Sequence, residues 1–281
     1  MNYRHAYHAG NFADCLKHAA LVAVLLHLRK KQTPFAVIDT HAGRGTYDIG
    51  GVEAKKTGEA AGGILRLLRL NSVPGVLKPY CDLVRSFGGD IYPGSPLIAA
   101  RMLRAKDRLV AIEKQPEEYR GLASALAGDG RARAVNADGY RELLRVLPPP
   151  ERRGLVLIDP AYEAEDEFAQ ATCAGIEAHR RFAGGIYLIW YPAKERAAVA
   201  ASVGELLNAG ISSLLKVELD TGGSQTQAEE GRAPRLTATG LFVVNPPFGF
   251  ADEMRTILPF LTENLAQGAG AHGAVEILAE R

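Results

Sequence analysis

The chain has 281 residues, 47% of them hydrophobic and 23% charged, enough to bury a full core as one domain. A net charge of +1 leaves no bulk electrostatic signature, so any contact with a polyanion must come from local patches and not from a basic chain. Cys15, Cys81 and Cys173 are odd in number and scattered, which excludes a disulfide framework and a zinc-ligand spacing and suits a reducing cytoplasm.

Residues 1–10 are dense in aromatic and basic groups (Tyr3, Arg4, His5, Tyr7, His8) before any periodic pattern begins. Asn11 with Asp14 three residues on is a capping-box variant, and a helix is expected from there to the basic residues 29–31, carrying Lys17 and His18 near its start. Its apolar run over 19–26 is broken by His27 and falls far short of the ~20 residues that span a bilayer. No export signal precedes it, so a cytoplasmic protein without membrane contact is expected. Five of the seven histidines (His5, His8, His18, His27, His41) fall within the first 41 residues. No Cys or carboxylate stands at ligand spacing beside His5 and His8, and there is no His-Glu-x-x-His helix. Hydrogen-bonding pocket histidines are expected, and no metal.

A buried strand over 35–39 runs into Thr40-His41-Ala42-Gly43-Arg44-Gly45, an acidic strand end with a glycine-rich turn of the kind that lets a parallel sheet approach a nucleotide-like ligand. The spacing is not Gly-x-Gly-x-x-Gly, and no Gly-Lys-Ser/Thr loop occurs anywhere, which argues against dinucleotide oxidoreductases and nucleotide triphosphatases. Over 48–92 the alternation of strand and helix lapses, and helical stretches at 59–70 and 76–87 suggest a small inserted subdomain. Its Lys55, Lys56, Arg66, Arg69, Lys78 and Arg85 suit a phosphate backbone, although each alone is equally a solvated face. Tyr92-Pro93-Gly94-Ser95-Pro96 closes the insert and places Ser95 as the N-cap of the next helix, where a hydroxyl and free N–H groups suit a carboxylate.

Three more strands end in acids: 108–112 before Glu113, 132–137 before Asp138-Gly139, and 155–158 before Asp159. Asp138 can equally cap the helix after it. Asp39, Glu113, Asp138 and Asp159 at one sheet edge, with no phosphate loop, describe a nucleoside cleft that points to S-adenosylmethionine and not to NAD or ATP. Strands over 184–190, 213–219 and 240–244 follow, the last two joined through a Gly, Ser, Gln and Glu-rich stretch at 220–234 that reads as a mobile hairpin loop. Residues 268–273 form a turn before a final short strand. The expected architecture is α/β: a Rossmann-like, seven-stranded methyltransferase sheet with a helical insert, in one domain over 1–281.

Enzymes that methylate exocyclic amines carry Asp or Asn, then Pro, Pro and an aromatic. The chain offers Asp159-Pro160-Ala161-Tyr162 and Asn245-Pro246-Pro247-Phe248. By letters the second matches better. Asn245, however, ends a hairpin strand that must run antiparallel to the rest, so it lies at the opposite edge and is expected to be structural. An adenine N6 lone pair is delocalised into the ring, and two acceptors must turn it towards the methyl donor. The Asp159 carboxylate and the Pro160 carbonyl suit this, with Tyr162 stacking on the base. Ala161, in place of the second proline, loosens the turn and leaves the Pro160 carbonyl available.

Nearly end to end, the chain resembles the bacterial 23S ribosomal RNA adenine-N6 methyltransferases of the RlmJ family. The likeness rests on Tyr3-Arg4-His5, His8-Ala9-Gly10-Asn11, Lys17-His18, Asp39-Thr40-His41-Ala42-Gly43, Tyr92-Pro93-Gly94-Ser95-Pro96 and Ile158-Asp159-Pro160-x-Tyr162. The resemblance implies a monomeric cytoplasmic enzyme that binds S-adenosylmethionine, releases S-adenosylhomocysteine and acts on 23S RNA, free or in an early assembly intermediate. It also implies His18, His41, Ser95, Glu113, Asp138, Gly139 and Asp159 around the cofactor, Asp159 as catalytic acceptor, and Tyr3, His5 and Lys17 on the RNA side. The alternatives are amino-group methylation of DNA or protein, and a non-catalytic nucleic-acid-binding role in the use of external DNA.

Overall fold

Apolar runs such as Leu155-Val156-Leu157-Ile158 are covered on both faces, which is what the inside of a parallel sheet demands. In the computed structural model, which describes residues 4–223 and 236–280, these runs form the centre of one large sheet. A 3-10 turn (His5–Tyr7) leads into α1 (Phe12–Arg29) and β1 (Ala36–Asp39). Then come β2 (Thr46–Asp48), α2 (Val52–Thr57), α3 (Glu59–Gly62), α4 (Ile64–Leu68), α5 (Lys78–Phe87) and β3 (Ile91–Pro93). The chain continues through α6 (Ser95–Met102), β4 (Arg108–Glu113), α7 (Pro116–Ala125), β5 (Ala132–Asn136), α8 (Gly139–Val146), β6 (Gly154–Ile158) and α9 (Glu167–Arg181). It finishes with β7 (Ile186–Pro192), α10 (Arg196–Asn208), β8 (Leu214–Asp220), β9 (Ala238–Val244), α11 (Phe250–Leu265) and β10 (His272–Ala279).

The main sheet has the order β10-β8-β9-β7-β6-β1-β4-β5. Strands β5, β4, β1, β6 and β7 are parallel, and β9 is antiparallel to both β7 and β8. This is the methyltransferase arrangement with eight strands, one more than the seven expected. The final strand β10 pairs antiparallel with β8 and satisfies backbone groups that would otherwise form an open edge. The chain moves from β1 outward to β4 and β5, then returns to the other side of β1 as β6 and β7, so the topological switch point lies between β1 and β6.

Helix α1 is started by Asn11, whose side chain accepts from the Asp14 N–H at 3.0 Å. It is buried on nearly every side, a helix with no solvent face over most of its length. It shares one core with α6, α11 and Val37, Ala111, Leu155 and Leu157 of the sheet, while Ile38, Ile112, Val156 and Ile158 join α8, α9 and α10 on the other side. Because side chains alternate along a strand, Asp39 belongs with the α1 face, and so do Asp159 and Glu113 two residues beyond Leu157 and Ala111.

The insert is more broken than the two expected helices. β2 and β3 pair as an antiparallel ribbon at its mouth, and the Gly94 N–H donates to Gly45 O at 2.8 Å across its base. The stretch 59–70 divides at Gly62-Gly63 because Gly63 packs against the chain before α1: an added Cβ would lie 2.1 Å from Gly10 O, and the Ile64 N–H donates to that same oxygen at 2.7 Å. The helix expected over 76–87 begins at Lys78, with Pro79 in its first turn. Tyr3 and most of the expected 220–234 loop lie outside the described residues. Among the described residues no helix is long and apolar enough to cross a membrane.

Candidate active site

Asp39 and Asp159 leave β1 and β6 on either side of the switch point, where open α/β sheets bind ligands. Register carries the other acids to the same edge: Asp39 pairs with Ala111 on β4 and stands level with Leu157 on β6, and Glu113 pairs with Asn136 on β5. Asp138 follows two residues later.

Lys17 joins α1 to this edge. Its ammonium lies 2.9 Å from Asp14 Oδ1 and 2.5 Å from Asp159 Oδ2, and 5.9 Å above the Trp190 ring, with only 6% of its side chain exposed. Burial alone would lower the Lys17 pKa, but the two carboxylates outweigh it and hold the ammonium charged. Asp14 also accepts from the Gly10 N–H at 2.8 Å and contacts His5 Nε2 at 3.1 Å. Burial pushes the Asp14 pKa up, yet Lys17 and His5 together hold it well below the usual carboxylate range. For Asp159 the balance reverses: burial raises its pKa and Lys17 only partly offsets the rise.

Asp39 is 1% exposed and forms no ion pair among the described residues, although the Lys17 charge acts on it from beside Asp159. The Ser95 hydroxyl donates to its Oδ2 at 2.7 Å, and its Oδ1 is buried without a partner. Burial pushes its pKa up to about 7; the Ser95 bond opposes this, the nearby Asp159 charge adds to it, and the Lys17 charge works against it. Ser95 is thus the first residue of α6 and bonds Asp39; the N-cap is Gly94, which corrects the expected cap. Glu113 accepts from the Gly43 N–H at 2.9 Å and the Gln115 N–H at 2.7 Å, which fixes its carboxylate and leaves lone pairs for hydroxyl donors. Burial still raises its pKa.

Asp138 caps α8 by accepting from the Arg141 N–H at 3.2 Å, and Lys114 reaches it at 3.0 Å. Gly139 opens α8 so close to the exit of β1 that a Cβ would lie 2.1 Å from Thr40 O. His41 packs edge-on against Tyr140, its Nδ1 2.7 Å from Thr40 Oγ1; burial takes its pKa down to about 4. His18 Nδ1 lies 2.6 Å from the Tyr92 hydroxyl, which bonds Tyr80 at 2.9 Å, and burial takes the His18 pKa down to about 3. Both imidazoles are neutral at pH 7.

Pro160 is buried, and Tyr162 sits at φ +53°, a conformation that costs a bulky residue about 1–3 kcal/mol and is held only where surroundings over-determine it. Here the Tyr162 hydroxyl donates to Trp190 O at 2.6 Å and its ring packs against Phe168 and Trp190. The second motif is built differently. Asn245 Nδ2 donates to Ala183 O at 2.9 Å and Gly185 O at 2.7 Å, at the amino end of β7 and so at the edge opposite Asp159.

A family model described as ribosomal RNA large subunit methyltransferase D, RlmJ, matches residues 32–277. The chain belongs to the RlmJ family. It is 39% identical over 280 residues to ribosomal RNA large subunit methyltransferase J of Escherichia coli K12, covering 98% of each chain. With the Haemophilus influenzae protein of the same name it shares 38% over 277 residues, covering 96% of each. A crystal structure from Legionella pneumophila superposes with a TM-score of 0.84 at 30% identity, covering 96% of this chain and 98% of that one.

In this RlmJ-family chain, His5, Lys17 and Asp159 come together through Asp14, while Ser95 and Asp39 meet at the neighbouring strand end. His18 lies towards the insert through Tyr92, and His41, Gly139 and Asp138 cluster at the start of α8. Sequence reasoning gave Asp14 only a capping role and passed over Trp190. The signal for Asp14 was its i,i+3 spacing to Lys17 on a buried helix; no local signal marked Trp190.

Proposed function

We propose that this chain transfers a methyl group from S-adenosylmethionine to N6 of one adenine in 23S ribosomal RNA. The observation that carries the reading is Asp159-Pro160-Ala161-Tyr162, placed at the carboxyl end of β6 beside the switch point in an RlmJ-family chain. The residues at the edge fit the cofactor: a buried carboxylate oxygen on Asp39 lacks a donor, and Glu113 is held ready for hydroxyls. Asp39, Ser95, Glu113, Asp138, Gly139, His18 and His41 would hold it. S-adenosylmethionine supplies an electrophilic methyl carbon on a sulfonium and leaves as S-adenosylhomocysteine.

Asp159 and the Pro160 carbonyl each accept one N6 hydrogen and aim the nitrogen lone pair at that carbon. On transfer to N6, Asp159 would take one N6 proton and pass it to solvent. Tyr162 lies against the base, with its ring fixed by Trp190, and His5, Lys17 and Tyr3 meet the RNA. The reading takes the enzyme to act as a monomer. The target base must leave its stack to reach them, which favours free RNA or an early assembly intermediate. Unpaired Cys15, Cys81 and Cys173 support a reducing cytoplasm. The test is transfer of labelled methyl to protein-free 23S RNA from a strain lacking this gene. Label at one adenine with the wild type and none with Asp159→Ala is expected; label on DNA or protein alone would overturn the reading.

A further inference from the structure

The ammonium of Lys17 has two carboxylate neighbours, and only one of them stands in the signature motif. Asp14 is the more buried of the two, with 2% of its side chain exposed against 13% for Asp159. It sits three residues before Lys17 on the same face of α1, and its carboxylate gathers the Gly10 N–H at 2.8 Å, Lys17 at 2.9 Å and His5 at 3.1 Å. One acid thus holds the turn before α1, the 3-10 turn carrying His5, and the cation in front of Asp159.

We infer that Asp14 is a positioning residue of the transfer site: it keeps a carboxylate on the Lys17 ammonium, so that Asp159 can exchange Lys17 for the amine of the target base. The inference rests on the proposed N6 transfer and deepens it. A neutral amine cannot replace the ion pair unless the ammonium left behind stays compensated, because an unpaired buried charge is strongly unfavourable. With Asp14 in place, Lys17 keeps a partner throughout. Without that charge, Asp159 is the only carboxylate the ammonium contacts, and the amine competes against a full ion pair.

The test measures single-turnover methyl transfer to 23S RNA, cofactor affinity by calorimetry and thermal midpoint for Asp14→Asn, Asp14→Glu, Lys17→Met and the Asp14→Asn/Lys17→Met double variant. Asn still offers an oxygen to the Gly10 N–H, so the shape is kept and the charge removed. In Asp14→Asn the rate is expected to fall about tenfold or more with cofactor affinity within about twofold, and Asp14→Glu recovers part of the loss. In the Lys17→Met background the same Asn change has less than about a twofold effect, because the cation it serves is gone. A purely structural Asp14 would give the same loss in both backgrounds, or equal loss for Asn and Glu, and either result overturns the inference. If Asp14→Asn does not fold, Asp14→Ser with and without Lys17→Met makes the same comparison, since it also removes the charge and keeps an oxygen. A wild type that methylates no 23S RNA overturns the transfer reading and this inference together; an active wild type with additive variants overturns the inference alone.

Discussion

Replacing Asp39 by Asn tests whether the carboxylate at the end of β1 is kept for a cationic ligand. In the ligand-free protein burial raises the Asp39 pKa to about 7, against about 3.9 for an Asp in an unfolded chain. Between those values the folded protein holds a proton that the unfolded chain has lost, so stability falls as pH rises, and the fall ends near pH 7. From pH 5 to pH 8 the unfolded carboxyl is ionised throughout, while the folded one ionises at about 7. Two pH units at 1.36 kcal/mol each give a loss of about 3 kcal/mol, an upper bound for one buried group. Asn copies the protonated acid and cannot ionise, so Asp39→Asn should gain on the wild type by that amount between pH 5 and pH 8. For a chain of this size the gain corresponds to about 5 °C in the thermal midpoint.

The same variant should bind S-adenosylmethionine more weakly, since its buried amide cannot neutralise an ammonium. Binding of that ammonium by wild-type Asp39 would lower its pKa. At pH 6 binding should therefore release close to one proton, seen as an enthalpy that varies with the ionisation heat of the buffer, and at pH 8.5 it should release none. Melting curves at the two pH values and titrations in two buffers decide the matter. A stability difference that is the same at pH 5 and pH 8, with no proton release at pH 6, would refute the reasoning.

Asp159→Ala should lower the methyl-transfer rate by about 10²–10³, the range for losing one group that holds the reacting atoms, while calorimetry shows cofactor affinity changed by less than about tenfold. Asn245→Ala removes two hydrogen bonds to the start of β7, so chemical denaturation should show a loss of about 1–3 kcal/mol with activity per folded molecule retained. An Asn245 variant that folds normally but cannot methylate would exchange the roles of the two motifs. Gly139→Ala drives a methyl group into Thr40 O, which parts α8 from the exit of β1; cofactor affinity should drop about tenfold or more, and unchanged affinity would mean the cofactor does not bridge these elements.

The strand ends were legible because buried apolar runs of 35–39 and 155–158 stop at acids, and order and direction then follow from few permitted topologies. The placement of Asn245 at the edge opposite Asp159 was legible for the same reason, since an antiparallel hairpin strand must deliver it there. Contacts between distant residues were not. Lys17 and Asp159 are 142 positions apart, and nothing near either one announces the other. Ser95 looks like a cap from its neighbours, yet the helix starts one residue earlier and the hydroxyl turns to Asp39, 56 positions away. The break in the insert at Gly62-Gly63 is likewise set by Gly10, a partner that propensity cannot see.

Environment separates the two carboxylates at the switch point more sharply than position does. Asp39 and Asp159 end adjacent parallel strands, and burial raises the pKa of both, but Asp159 has the Lys17 ammonium in contact, whereas Asp39 has the Ser95 hydroxyl in contact and feels Lys17 only at a distance. A carboxylate whose charge is already compensated gains little from a second cation and can give its oxygen to a neutral amine. One whose charge is uncompensated gains most from a ligand that brings the missing cation. In the proposed reading, Lys17 therefore separates a transfer edge at β6 from a cofactor edge at β1: it pairs with Asp159 directly and acts on Asp39 only at a distance, so Asp39 gains more from a cation that binds there.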